Sequence, residues 1–123
     1  MTPFTYDEFT TRNLGFVTEA EQARLKDARV FICGAGGMGG SAIMNLIRAG
    51  VGNLILCDLD GFEVSNLNRQ LFATLDSVDH HKAHATGTVF VLFTEEAMLL
   101  HVVAFFGFGL DPIGVILGHA WLL

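Results

Sequence analysis

The chain has 123 residues, 51% of them apolar, and a formal charge of −6. That is enough for one domain with its own core and too little for two, too apolar for global disorder, and too acidic for nucleic acid to be the main partner. No basic start leads into an apolar run near the N-terminus, so no secretory signal is read and a cytoplasmic address is expected. All seven Lys and Arg fall between Arg12 and Lys82, whereas residues 83–123 carry only Glu95, Glu96 and Asp111 as charged groups. This shift divides the chain into residues 1–86 and an apolar tail, 87–123, with no membrane partner expected.

In chain order, Thr18-x-x-Glu21 is a capping box that predicts a helix over about Glu19–Asp27. Arg29–Cys33, RVFIC, has no polar alternation and suits a strand buried on both faces of a parallel sheet. Ile43, Leu46 and Ile47 then recur at helical spacing up to Gly50, a glycine placed to end that helix in a left-handed turn. Asn53–Cys57, NLILC, is a second strand, and the pair with its crossover helix forms a right-handed βαβ unit. Beyond Asp58 come a polar loop, a short helix opened by Ser65 or Asn66, and a helical stretch around Asp79–Thr86 that Gly87 interrupts. Cys33 and Cys57 each close an apolar run and are expected to be buried, inert thiols.

The residues that carry chemistry gather after the first strand. Gly34-Ala35-Gly36-Gly37-Met38-Gly39 is G-x-G-x-x-G between a predicted strand and a predicted helix. Gly34 permits the tight turn, Gly36 lets backbone approach a phosphate, and Gly39 allows close helix packing, while the helix N-terminus offers unpaired amides to an anion. Asp58, 24 residues after Gly34, stands where a carboxylate can accept from ribose hydroxyls. These features alone leave NAD, FAD, ATP and S-adenosylmethionine open. His80, His81 and His84 suggest a metal because His80 and His84 would share one helical face, yet no further ligand is evident at suitable spacing and no metal site is assigned. Asp60 and Glu63 read as loop-ordering carboxylates.

The stretch Asp58-Leu-Asp-Gly-Phe-Glu-Val-Ser-Asn-Leu-Asn-Arg69-Gln70, with Lys82 thirteen residues after Arg69, decides among them. With the preceding AGVGNL and the opening TRNLGFVTEAEQARL, it resembles the ThiF, MoeB and ubiquitin-activating superfamily over about Arg12 to Thr86. The resemblance implies an α/β, Rossmann-like parallel sheet with flanking helices, incomplete relative to the family. It implies ATP and Mg²⁺ as cofactors and adenylation of a carboxylate with release of pyrophosphate. The acceptor would be the C-terminal carboxylate of a ubiquitin-like or sulfur-carrier protein, or a related carboxylate. By resemblance, Gly36 and Gly37 face the phosphates, Gly34 and Gly39 shape the turn, and Asp58 holds the ribose. Ser65 and Asn66 then orient the nucleotide and its loop, and Arg69 with Lys82 clamps the phosphates. Arg12 would cross a dimer into the partner's site, so a homo-oligomer or a dimer with a full-length relative is expected.

After Thr86 the resemblance stops. The family's later aspartate, which helps hold Mg²⁺ and the substrate carboxylate, and its two C-x-x-C pairs have no counterpart, so the chain reads as a fragment of an adenylating domain. The tail is open to three readings: an alternative or frame-shifted ending, a divergent completion of the sheet, or a membrane-associated segment. Two other functions remain open, an NAD-dependent oxidoreductase fragment and a non-catalytic pseudo-enzyme that docks on a complete partner.

Overall fold

The computed structural model describes residues 4–91 and 99–102. The apolar segments in 92–98 and 103–123, with Glu95, Glu96 and Asp111, lie outside the described residues.

Two Thr-x-x-Glu boxes open the N-terminal helices. The expected box caps α2, Glu19–Asp27, with Thr18 and Glu21 satisfying each other's backbone amides. The sequence holds the same signature at Thr5 and Glu8, and there it opens α1, Tyr6–Thr10, a helix that the apolar periodicity does not announce. A 3₁₀ turn, Thr11–Asn13, follows α1.

The βαβ unit is as expected: β1, Arg29–Cys33; α3, Gly37–Ala49; β2, Asn53–Cys57, with the strands parallel and Arg29 opposite Asn53, Cys33 opposite Cys57. Gly50 ends α3 at φ 91°, its amide donating to Ile47 and Leu46 carbonyls. After α4, Lys82–Val91, a third strand β3, Leu99–Val102, joins β2 in parallel, giving the order β1-β2-β3. Residues Leu99–Val102 of the tail thus contribute a strand to the sheet. Among the described residues no helix is long and apolar enough to cross a membrane.

The core lies between the sheet and its helices. Ile43 and Ile47 of α3 meet Leu54 and Leu56 of β2, closed in by Val51, Phe62, Phe72 and Ala83. Each large side chain removed from water there contributes about 1.5–3 kcal/mol. Leu54 and Leu56 alternate with Ile55, so one face of β2 meets this core and the other does not.

That one-sided cover corrects the expectation for β1. Val30 and Ile32 pack toward the core, but Phe31 is 59% exposed and Cys33 is also exposed. Only Cys57 is the buried thiol that both cysteines were expected to be. An apolar run without polar alternation signals the capacity for burial on two faces; which faces are covered depends on neighbours that the run does not encode.

Two further boundaries shift. The short helix after Asp58 is a 3₁₀ turn, Val64–Asn66, preceded by Glu63 rather than opened by Ser65 or Asn66. The stretch expected from Asp79 begins only at Lys82, because Asp79 takes a left-handed φ of 67° and Val78–His81 bridges back to Gly61 and Phe62. The helix then runs through Gly87, which does not interrupt it.

Candidate nucleotide site

The glycine turn divides its labour among positions. Gly34 adopts φ 99°, a conformation that a side chain would strain, and its amide donates to Cys57 O at 2.7 Å, tying the turn to the end of β2. A Cβ on Gly39 would overlap the Gly34 carbonyl oxygen, so the helix rests directly on the turn. Gly36 and Gly37 differ: a Cβ there would meet nothing nearer than 3.8 Å, where the Gln70 side chain and the Arg69 carbonyl stand. A methyl group would fit at either position in ordinary contact with these neighbours. The first helical bond runs from Gly40 N to Gly36 O at 2.7 Å, so the amides of Gly37, Met38 and Gly39 have no acceptor within the helix and carry its positive end.

Asp58 fixes the turn from below. Its Oδ2 accepts from Ala35 N at 2.6 Å and its Oδ1 from Asp60 N at 2.9 Å, in a buried position at the end of β2. The expected ribose contact therefore has to share a carboxylate that already holds two backbone segments together; each oxygen keeps one further lone pair.

The loop 58–70 is ordered by its own side chains. Asn66, buried, accepts from Glu63 N at 3.1 Å through Oδ1 and donates from Nδ2 to Ser65 Oγ at 3.3 Å. Ser65 Oγ donates to Glu63 Oε2 at 3.2 Å. Ser65 and Asn66 thus orient the loop, and Glu63 and Asp60 order it as expected. This seats Arg69 and Gln70 against Gly37 and Gly36, so residues separated by over thirty positions in the sequence share one surface.

The two cations are already engaged. The exposed Arg69 donates from Nη1 to Ser65 O and to Asn68 Oδ1. Lys82, at the start of α4, is buried; its Nζ lies 3.5 Å from the carboxylate of Asp60, whose side chain is 76% exposed, and 5.9 Å from the Phe62 ring. Because Lys82 N also donates to Asp60 O at 2.9 Å, α4 begins on the same loop that carries Arg69.

Arg12 lies elsewhere. Its neighbour Asn13 donates to Ala49 O at 3.2 Å, at the C-terminal end of α3. With about 1.5 Å rise per residue, the thirteen-residue α3 sets that end about 18 Å from the glycine turn, farther than an arginine side chain spans. Tyr6 and Gln22 lock this arrangement: Tyr6 OH donates to Gly50 O at 2.6 Å and accepts from Gln22 Nε2 at 2.8 Å. Burial pushes the Tyr6 phenol up, which keeps it a donor.

The histidines do not form the expected pair. His80 precedes α4 and His84 lies within it, so they do not share a helical face. Among the described residues no group of three or more His, Cys, Asp or Glu side chains could hold a metal ion.

Residues 10–95 match the ThiF family. The chain belongs to that family. It is 42% identical over 65 residues to the sulfur carrier protein ThiS adenylyltransferase of Escherichia coli, covering 53% of this chain and 26% of the relative. It is 54% identical over 56 residues to the molybdopterin-synthase adenylyltransferase of Salmonella typhimurium, covering 46% of this chain and 22% of the relative. Among solved structures, the E. coli tRNA N6-threonylcarbamoyladenosine dehydratase TcdA in complex with ATP superposes with a TM-score of 0.76 at 29% identity, over 81% of this chain and 41% of that one. The chain thus spans about a quarter of the length of these curated relatives. The family match extends beyond Thr86 into the start of the tail, farther than the motifs alone suggested.

Proposed function

We propose that this domain binds ATP at the glycine turn and serves adenylation of a carboxylate. The observation that carries the reading is that the loop bearing Arg69 folds over the glycine turn, the Arg69 carbonyl facing Gly37 and the Gln70 side chain facing Gly36, with Lys82 anchored to the same loop through Asp60. A turn used only for packing would not need the loop that bears Arg69 folded over Gly36 and Gly37. The adenylyltransferase names of the relatives and the ATP complex of TcdA support the same reading.

In the proposed reaction a carboxylate oxygen attacks the α-phosphorus of ATP, the bond from that phosphorus to the bridging oxygen breaks, and pyrophosphate leaves. Gly36 and Gly37 offer unhindered backbone, the amides that open α3 face the phosphates, Asp58 holds the turn and takes the ribose, and Arg69 with Lys82 neutralises charge as it develops. Ser65 and Asn66 hold the loop in place. Mg²⁺ is expected to arrive on the triphosphate, since it favours a few ligands plus phosphate oxygens over an all-protein cage. The acceptor class is the C-terminal carboxylate of a small ubiquitin-like or sulfur-carrier protein, or a related carboxylate.

Arg12 enters by way of a second copy or a full-length relative. Its exposed place at the far end of α3, away from its own turn, supports that route. Calorimetric titration with MgATP tests the reading: the unmodified chain binds, Arg69→Ala loses most of the affinity, and NAD binds more weakly than ATP. Tighter binding of NAD, or no nucleotide binding, refutes it. For the shared site, an Arg12→Ala chain mixed with an Arg69→Ala chain should recover part of the binding that each lacks alone.

The exposed Phe31 and Cys33 on one face of β1 favour a second reading, a non-catalytic module seated on a complete relative. Co-purification with such a relative without pyrophosphate exchange would select it.

A further inference from the structure

Cys33 and Cys57 are the two cysteines of the chain, and the fold makes them neighbours. They stand 24 positions apart in sequence, yet they are in-register partners across the parallel pair β1 and β2. Adjacent strands lie about 4.7–4.9 Å apart, within the roughly 4.4–6.8 Å between Cα atoms that a disulfide spans. The two side chains also leave the sheet on the same face. On β1, Val30 and Ile32 pack toward the core while Phe31 and Cys33 are exposed; on β2, Leu54 and Leu56 face the core, so Cys57 follows Ile55 to the opposite side. Their access to solvent differs, Cys33 being exposed and Cys57 only 8% exposed.

We infer that Cys33 and Cys57 form a reversible oxidation site, in which Cys33 reacts with a hydroperoxide and Cys57 resolves the product to a disulfide within the chain. The Cys33 thiolate attacks one peroxide oxygen, the O–O bond breaks, and the departing hydroxide or alkoxide takes up a proton, leaving Cys33 as a sulfenic acid. The Cys57 thiolate then attacks the Cys33 sulfur, the S–O bond breaks, and water leaves as the S–S bond forms. The pair of thiols gives up two electrons and the peroxide accepts them. Burial keeps Cys57 from a solvent oxidant, but its strand neighbour brings the electrophilic sulfur to it. The bond falls at the root of the glycine turn: Gly34 follows Cys33 and its amide donates to Cys57 O at 2.7 Å, while Asp58 follows Cys57 and accepts from Ala35 N. The site holds whichever ligand the turn takes.

The test treats the dilute, folded chain with hydrogen peroxide, counts thiols, and maps peptides without reduction. Both thiols should disappear together, the Cys33 and Cys57 peptides should be joined within one chain, and dithiothreitol should restore both thiols. Dimedone added with the peroxide should capture little sulfenic acid in the folded chain, because Cys57 resolves it first, and about tenfold more in the chain unfolded by urea. Cys33→Ser, a change at an exposed position, should leave the Cys57 thiol intact under the same treatment. Retention of both thiols, loss of the Cys33 thiol alone, a disulfide between two chains, or equal dimedone capture in the folded and unfolded chain overturns the proposal.

Discussion

Replacing Asp58 with asparagine separates two roles that the sequence alone merges. A carboxylate that only grips a sugar has no effect on the empty fold. In this structure the same carboxylate accepts from Ala35 N at 2.6 Å and Asp60 N at 2.9 Å, and Ala35 is 1% exposed, so its amide cannot turn to water. Hydrogen bonds to a charged group contribute about 1.5–3 kcal/mol each, and an amide left buried without a partner costs about 1–3 kcal/mol. Asparagine keeps one acceptor and turns an NH₂ group toward the other amide, so Asp58→Asn should lose about 3 kcal/mol, and Asp58→Ala, which strands both amides, about 4–5 kcal/mol. Against a total stability of roughly 5–15 kcal/mol for a domain, these losses are readily measured. Urea denaturation of the nucleotide-free chain should show a lower midpoint with an unchanged slope. An unmoved midpoint in Asp58→Asn would refute the argument and leave Asp58 as a ligand contact alone.

Three further outcomes follow from the geometry. Gly39→Ala drives a methyl group into the Gly34 carbonyl and should cost about 3 kcal/mol or more and abolish ATP binding, read as a fall in melting temperature and a flat titration. Thr86→Val removes a fully buried hydroxyl without a partner at equal shape and should raise stability by about 1 kcal/mol by the same denaturation assay. The third concerns pH: backbone and hydroxyl hydrogen bonds from Thr5 and Thr18 hold the Glu8 and Glu21 carboxyls below the usual glutamate range. Because the folded values are depressed, this contribution is present in full above the ordinary glutamate range and is lost as pH falls through the folded values. Melting temperature should therefore drop from about pH 5 to about pH 3 by less in a Glu8→Gln, Glu21→Gln double variant than in the unmodified chain. Equal drops would refute it.

The elements that the sequence declared best were those specified by local chemistry. The box at Thr18, the left-handed Gly50 and the roles of Gly34 and Gly39 each depend on a few adjacent residues, and all stand where the pattern put them. What the sequence concealed depended on contacts between distant segments. Asp58 looked like a sugar ligand because strand-end position is visible, whereas its bonds to Ala35 and Asp60 need the folded turn. The start of α4 moved because Val78–His81 is drawn back to Gly61 and Phe62, a long-range pairing that outweighs local helix preference. Gln70 closes the motif after Arg69, but that its Oε1 is buried without a partner becomes visible only once the loop lies on Gly36. Burial of β1 was misread for a related reason, since the cover over Phe31 and Cys33 is not a property of the strand.

On the proposed reading, Lys82 and Arg69 exchange their present partners for a phosphate chain without a large rearrangement. Lys82 is buried, yet its ion pair with Asp60, at 3.5 Å, is longer than a direct hydrogen bond, and the partner carboxylate is mostly in water. Such a pair holds the ammonium in place while contributing little binding energy of its own. The contacts of Arg69 to Ser65 O and Asn68 Oδ1 lie on the exposed side of its loop, where exchange for another acceptor is again inexpensive. By contrast, the glycine turn and the loop backbone are fixed by buried hydrogen bonds through Asp58 and Asn66. If the proposed adenylation holds, the frame is rigid where donors are aimed and loose where charges change partners, the division that electrostatic stabilisation of a developing anion requires.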